Sequence, residues 1–345
     1  SDANVIGHVI DKTTGEHLSF VTVALKGTVL NTVTDKTGHY FLKNLPEGEF
    51  TLEVSMLGYE TESRRVTLKK GETLEENFEI DKSASQLDGV VVSANRNETK
   101  RRMAPTLVKV LDSKIFENTC SQNLSQGLIF QPGVRVENNC QNCGFTQVRI
   151  NGLEGKYTQI LIDSRPIFSS LAGVYGLEQI PTNMIDRVEV VRGGGSALFG
   201  SSAIAGTINI ITKEPRTNSG SLAHTFTNIN GSGAFDNNTT MNLSLVSADN
   251  RAGAYVYGQN RIRSAWDANG DGFTELSKMK NQMVGMNAYY KIGTYSKFGL
   301  EYHHIEEFRR GGNSLDLPPH IAENPELNGM GEPGLVEQTR HSINT

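Results

Sequence analysis

Residues 4–81 consist of short runs of alternating apolar and polar positions separated by turn residues. Val5-Ile6-Gly7-His8-Val9-Ile10-Asp11 alternates, and Thr13-Thr14-Gly15-Glu16 then reverses the chain. Further strand-like runs cover Val21–Lys26, Asn31–Thr34, His39–Leu42, Gly48–Met56 and Arg64–Leu68. Many short strands with frequent turns predict an antiparallel β-sandwich. The next stretch, residues 95–215, mixes periods. Ser121–Phe130 has helical spacing of Leu124, Leu128 and Ile129 and stops before Pro132-Gly133. Strand runs follow at Val134–Glu137, Gln147–Ile150, Gln159–Asp163, Val188–Val191 and Ile208–Thr212, so a mixed α/β unit is expected. From Arg216 the alternation lengthens, over Gly220–Asn230, Thr239–Ala248, Ala252–Ser264, Gln282–Lys291 and Lys297–Phe308. Spans of about ten residues match tilted membrane strands rather than helices. A soluble sandwich is the alternative.

Composition narrows the classes. The net charge of −5 supplies no general basic field for nucleic acid. No run reaches the roughly 18 apolar residues of a membrane helix, which leaves membrane strands open. Ser1-Asp2-Ala3 has no basic and apolar leader, so a signal peptide is expected to be already absent. No nucleophile–base pair or complete metal site suggests an enzyme.

Three cysteines occur, Cys120, Cys140 and Cys143. Cys140-Gln-Asn-Cys143 is compatible with a redox pair, half a zinc site or a local disulfide. Zinc would need a second pair, and a redox motif should open a helix. In an exported chain the disulfide is the plain expectation, which leaves Cys120 over.

Val188–Lys213 places two β-branched strands around a loop of Gly, Ser and Ala, including Gly193, Gly194 and Gly195. A phosphate loop would end in Lys-Ser/Thr, and this one does not. Ahead of it run Leu128-x-x-x-Pro132-Gly133-Val134, Val148-Arg149-Ile150-Asn151-Gly152, Ile160-Leu161-Ile162-Asp163 and Ile180-Pro181-x-x-x-Ile185-x-Arg187-Val188-Glu189-Val190. In this order the motifs resemble the plug domain of TonB-dependent outer-membrane receptors. Ser164-Arg165 departs from the family, which commonly has Gly after the Asp, and this puts the turn type in doubt. The pattern Gly7-x-Val9, Thr34-Asp35-x-x-Gly38-x-Tyr40-Phe41, Leu45-Pro46-x-Gly48 and Gly58-Tyr59 resembles carboxypeptidase-regulatory-like domains.

The expected fold is therefore mainly β. It comprises an N-terminal sandwich (4–81), a linker (82–94), a mixed α/β plug (95–215) and the first strands of a transmembrane barrel (216–345). Plugged barrels of this kind have about 22 strands, whereas residues 216–345 have room for about six. A fragment of a longer transporter is the expectation.

The resemblance also implies roles. Leu87, Asp88, Gly89, Val90, Val91, Val92, Ser93 and Ala94 look like a TonB box, which would add a strand to a TonB-type periplasmic energy-coupling protein. A plain edge strand is the alternative. Phe168, Leu171, Ala172, Gly173, Val174 and Tyr175 resemble the apical plug loop of cobalamin transporters, although packing against the barrel wall would suit them equally. Asp267, Asn269, Asp271 and Glu275 place oxygen donors at alternate positions, with Gly272 sixth, as at the start of an EF-hand calcium loop. Lys278 stands where that loop needs its bidentate Glu, so an ordinary Asx/Gly turn is the alternative. Cobalamin transporters order such loops with calcium. Residues 95–215 contain no His, which weakens haem, while His303, His304, His320 and His341 lie further on. Expected partners are outer-membrane lipid, the coupling protein and a surface lipoprotein. The expected cargo is cobalamin, with haem or a ferric siderophore as alternatives. A non-transporting surface ligand-binding module is the rival of another class.

Overall fold

A computed structural model describes residues 2–56, 58–83, 90–91, 99–100, 108–140, 145–150, 152–153, 158–166, 177, 180–192, 205–313, 315 and 334–344. The first unit holds eight strands: β1 (Ala3–Asp11), β2 (Thr22–Leu25), β3 (Asn31–Val33), β4 (His39–Leu45), β5 (Gly48–Ser55), β6 (Glu62–Leu68), β7 (Thr73–Glu75) and β8 (Phe78–Ile80). They form two sheets, β3-β2-β5-β6 and β4-β1-β7, with β8 also on β1. Alternation puts Val5, Val9, Val23, Leu52 and Val54 in a fully buried core between the sheets. The antiparallel expectation needs one correction: β7 and β8 run parallel to β1. The chain leaves β6 in one sheet, turns through the left-handed Gly71 (φ +77°) and enters the other sheet in the direction of β1.

Two-residue strands β9 (Val90–Val91) and β10 (Thr99–Lys100) pair with each other. The next unit contains β11 (Val108–Asp112), α1 (Ser113–Asn118), α2 (Leu124–Leu128), β12 (Val134–Cys140), β13 (Phe145–Ile150), β14 (Thr158–Ile162), β15 (Arg165–Pro166), β16 (Ile185–Arg192) and β17 (Gly206–Thr212). Asp112 caps α1 by accepting from Ile115 N at 3.2 Å, and Asn123 caps α2 by accepting from Gln126 N at 3.1 Å. Five strands form one sheet in the order β11-β16-β17-β14-β15, while β12 and β13 form a separate hairpin. Since β16 is antiparallel to both β11 and β17, β11 runs in the direction of β17. Val188, Val190, Ile208 and Ile210 are fully buried at its centre.

The last unit is a single antiparallel sheet of β18 (Ser219–Asn228), β19 (Phe235–Val246), β20 (Ala252–Arg263), β21 (Lys278–Ile292), β22 (Ser296–Gly311) and β23 (Gly334–Asn344), paired in sequence order. β21 and β22 reach 15 and 16 residues, longer than the ten-residue runs visible as alternation. The connections alternate in length. Residues 247–251 and 293–295 make short turns at one end, whereas 229–234 and 264–277 make longer loops at the other, where β22 also ends. One face carries Leu222, Met241, Leu243, Leu245, Val284, Tyr290 and Phe298, all exposed. Register aligns them into a band, with Leu222 beside Met241 and Tyr290 beside Phe298. That is the outer face of a membrane barrel sheet.

Candidate functional site

The other face of this sheet is polar, and the plug sheet rests on it. Tyr255 donates its hydroxyl to Asn183 O at 2.7 Å, and Asn183 Nδ2 donates to Met241 O at 3.2 Å. Asn287 Nδ2 donates to Thr212 Oγ1 at 3.1 Å, and Lys297 pairs with Glu214 at 2.5 Å. Tyr255, Tyr257 and Met283 also complete the plug's apolar core. Nearer the long loops the same face holds charge. Arg261 meets Asp236 through two nitrogens, Nε to Oδ1 at 3.0 Å and Nη2 to Oδ2 at 2.6 Å. Arg309 Nε reaches Glu307 Oε1 at 2.6 Å, with both side chains fully buried, and Asn281 Nδ2 donates to Glu307 Oε2 at 2.9 Å. Sequence reading missed this row. Its signal is the polar residue at every second position of 259–261 and 307–309, with Asn281 between them, where the intervening positions face outward.

The long-loop end carries the oxygen-rich turn. A bridge between Trp266 and Leu276 closes its base, and Thr274 N and Oγ1 tie it to Gly312 of the next loop at 3.2 and 3.0 Å. Gly270 (φ 76°) and Gly272 (φ 88°) take left-handed backbone, which folds the segment back on Asp267. Asp267 Oδ1 accepts from Gly270 N at 2.7 Å and Oδ2 from Gly272 N at 2.8 Å. The Gly272 N–H, followed by its neighbours, holds the Asp267 carboxyl below the usual carboxylate range despite some desolvation. Asp271 Oδ1 accepts from Phe273 N at 2.8 Å, and Glu275 Oε2 from Ala268 N at 2.5 Å. One carboxylate oxygen from each of Asp267, Asp271 and Glu275 lies within 4.8 Å of the others. Asn269 lies beside them, its Nδ2 3.0 Å from Asp271 Oδ2. Hard oxygen donors in this number fit part of a calcium shell and would suit a soft metal poorly.

Other sequence-derived residues fall differently. Phe168, Leu171, Ala172, Gly173, Val174 and Tyr175 lie outside the described residues, as do Leu87, Asp88, Gly89, Val92, Ser93, Ala94, Cys143 and Gly193–Gly195. Of the coupling segment, Val90 and Val91 are described as backbone only, paired with Lys100 and Thr99. Cys140 ends β12, and Cys120 is an exposed free thiol. His303 and His304 face opposite ways: His303 is buried and bonded to the Tyr257 hydroxyl, while His304 meets Glu306.

Two families match the chain. The CarboxypepD_reg-like domain matches residues 5–92 and the TonB-dependent Receptor Plug Domain matches residues 100–207. The vitamin B12 transporter BtuB of Vibrio vulnificus is 35% identical over 135 residues, 39% of this chain and 22% of its own length. Through this plug the chain is similar to the TonB-dependent receptors. Another relative is the ferric enterobactin receptor PirA of Pseudomonas aeruginosa, 32% identical over 176 residues, 47% of this chain and 24% of PirA. The solved structure of FpvA from P. aeruginosa, bound to heterologous pyoverdines, superposes with a TM-score of 0.50 at 14% identity. It covers 68% of this chain and 30% of FpvA, a likeness of fold. The chain thus spans between a fifth and a quarter of the length of the curated relatives it matches, at 22% and 24%.

Proposed function

We propose that this chain is part of an energised importer that carries a scarce, large ligand across an outer membrane, with cobalamin as the leading cargo. The observation that carries the reading is the family-matched plug sheet seated on the polar face of a membrane-type β-sheet through Tyr255–Asn183 and Asn287–Thr212. Short turns would face the periplasm and long loops the outside, as in outer-membrane barrels. In this reading residues 87–94 add a strand to a TonB-type partner. Ligand meets the plug at Phe168 and Leu171–Tyr175, and calcium held by Asp267, Asn269, Asp271 and Glu275 orders the adjoining loops. No bond in the cargo is made or broken.

The BtuB relationship supports cobalamin. A ferric siderophore is the second reading, supported by the longer match to PirA. Calorimetric titration of the full-length receptor with cyanocobalamin, ferric enterobactin and haemin, each with and without Ca2+, separates them. Cobalamin binding that tightens with Ca2+, and loses that gain in Asp267→Asn, is expected. Sub-micromolar binding of siderophore or haemin with no cobalamin response overturns the cargo. Deleting residues 87–94 should abolish uptake and spare binding, and uptake that persists overturns the coupling role.

A further inference from the structure

The N-terminal sandwich brings together three histidines that are far apart in sequence. His8 lies on β1, and His39, its direct cross-strand neighbour, lies on β4. His17 closes the return after β1, where Ile10 and His17 form a bridge. The ring centroids are 5.1 Å apart for His8–His17, 5.1 Å for His17–His39 and 5.8 Å for His8–His39. Gly38 permits this approach: it takes φ 79°, and an added Cβ would stand 2.7 Å from His17 Cβ. His17 and His39 are exposed, His8 is half-buried, and His8 and His39 line an open cleft of about 700 Å³ facing residues 246–250 of the barrel.

These spacings have a chemical meaning. Three imidazoles bound through one nitrogen each at about 2.0–2.1 Å around a tetrahedral zinc would have centroids roughly 5 Å apart. The surroundings of His39 add a second, independent indication. Thr37 Oγ1 donates to Asp35 Oδ1 at 2.7 Å and lies 3.0 Å from His39 Nδ1. An ionised aspartate can only accept, so the single Thr37 proton goes to it, and His39 Nδ1 must donate to the Thr37 oxygen. That tautomer leaves the lone pair on Nε2, as when an outer carboxylate or hydroxyl orients a ligating histidine. Asp35 Oδ1 also accepts from Thr37 N at 2.8 Å and His39 N at 3.1 Å, which fixes this relay to the β4 turn.

We propose that His8, His17 and His39 form a tris-imidazole site for a divalent transition metal of the zinc, nickel and copper class, with water as the fourth ligand. Imidazole nitrogen selects these ions over calcium, which sets the site apart from the carboxylate loop. Among the described residues Asp267, Asp271 and Glu275 are the only trio whose ligand atoms already lie within 4.8 Å of one another. Binding at the histidines therefore involves turning rings about their side-chain bonds, while the backbone already supplies the spacing. The site does not depend on the cargo.

The test is calorimetric titration of the full chain in detergent with Zn2+, with Ca2+ in excess to fill the carboxylate loop. A single tight equivalent is expected, and Co2+ in its place should give a tetrahedral visible spectrum. His17→Ala and His39→Ala should each weaken Zn2+ binding at least about tenfold. Thr37→Val should weaken it about tenfold and Thr37→Ser should restore it, because a hydroxyl alone carries the relay. His17→Gln keeps a polar side chain of similar size on an exposed turn and should behave like His17→Ala. Zn2+ affinity that is unchanged in the folded His17→Gln chain, or no Zn2+ binding tighter than millimolar, overturns the proposal.

Discussion

Asp163 and Ser164 both hold left-handed backbone, φ 47° and 66°, in the two-residue turn between β14 and β15. Positive φ at both central positions marks a type I′ hairpin, whose usual second residue is Gly. The sequence departs from Gly there, and the structure supplies the compensation. Asn209 Oδ1 accepts from Ser164 N at 2.9 Å, and its Nδ2 donates to Ser164 Oγ at 3.1 Å. Asn209 sits on β17, 45 residues away, so no local pattern could reveal it. Asn209→Ala should destabilise the plug by about 2 kcal/mol in denaturant unfolding, because the Ser164 N–H loses its acceptor. Ser164→Gly should change stability by less than about 0.5 kcal/mol, since relief of the left-handed strain offsets the lost hydroxyl bond. Asp163 accepts from Thr212 N at 3.0 Å and Thr212 Oγ1 at 2.6 Å, yet burial pushes its carboxyl up to about 6. A raised acid favours the fold most below its ordinary value of 3.8, and that contribution is lost as pH rises through about 6. Its rim still reaches solvent, so the effect should be on the order of 1–2 kcal/mol after screening. Asp163→Asn should flatten the stability profile between about pH 4 and 6, measured as unfolding midpoints across that range.

At the scale of elements, the barrel strands were the most legible part of the chain. Each separates a lipid-type face from a polar one, and that contrast is written at every second residue of β20 and β21. The plug strands β16 and β17 were legible for another reason, being β-branched runs buried along most of their length. The three-residue strands β7 and β8 are too short to show a period, and their place beside β1 is set by the return from β6. Helix α1 was missed because six residues give too little spacing, although the Asp112 cap was present in the sequence. Pairing also exposes a dependence that no single strand shows. Gly285 on β21 lies opposite Tyr257 on β20, and an added Cβ would come within 2.3 Å of the Tyr257 ring. The ring lies over the glycine and reaches His303. Gly285→Ala should therefore displace Tyr257 and cost about 1–3 kcal/mol. A Tyr257→Ala background should remove most of that penalty in a double-mutant cycle of thermal stability.

Across the whole molecule, the sandwich sits at the short-turn end of the barrel sheet. Val29 N donates to Thr294 O at 3.0 Å, Asn250 Nδ2 to Thr32 Oγ1 at 3.0 Å, and Lys291 Nζ to Asn31 Oδ1 at 3.0 Å. The order of units was legible from sequence, but this docking was not, because its partners are separated by 218 and 260 residues. Lys291→Met should loosen the seat, read as roughly tenfold faster amide exchange at Val29 with unchanged exchange in β5. The plug sheet is oriented by the same end. β17 leads into β18 there through residues 213–218, with Glu214 held by Lys297. Because β11 runs in the direction of β17, its first residue, Val108, lies at the end of the sheet farther from the short turns. A tug towards those turns through the chain before Val108 would load its pair with Val191 first and Asp112–Arg187 last. The strand would peel away rung by rung, as a zip opens, and would not have to shear all five rungs at once.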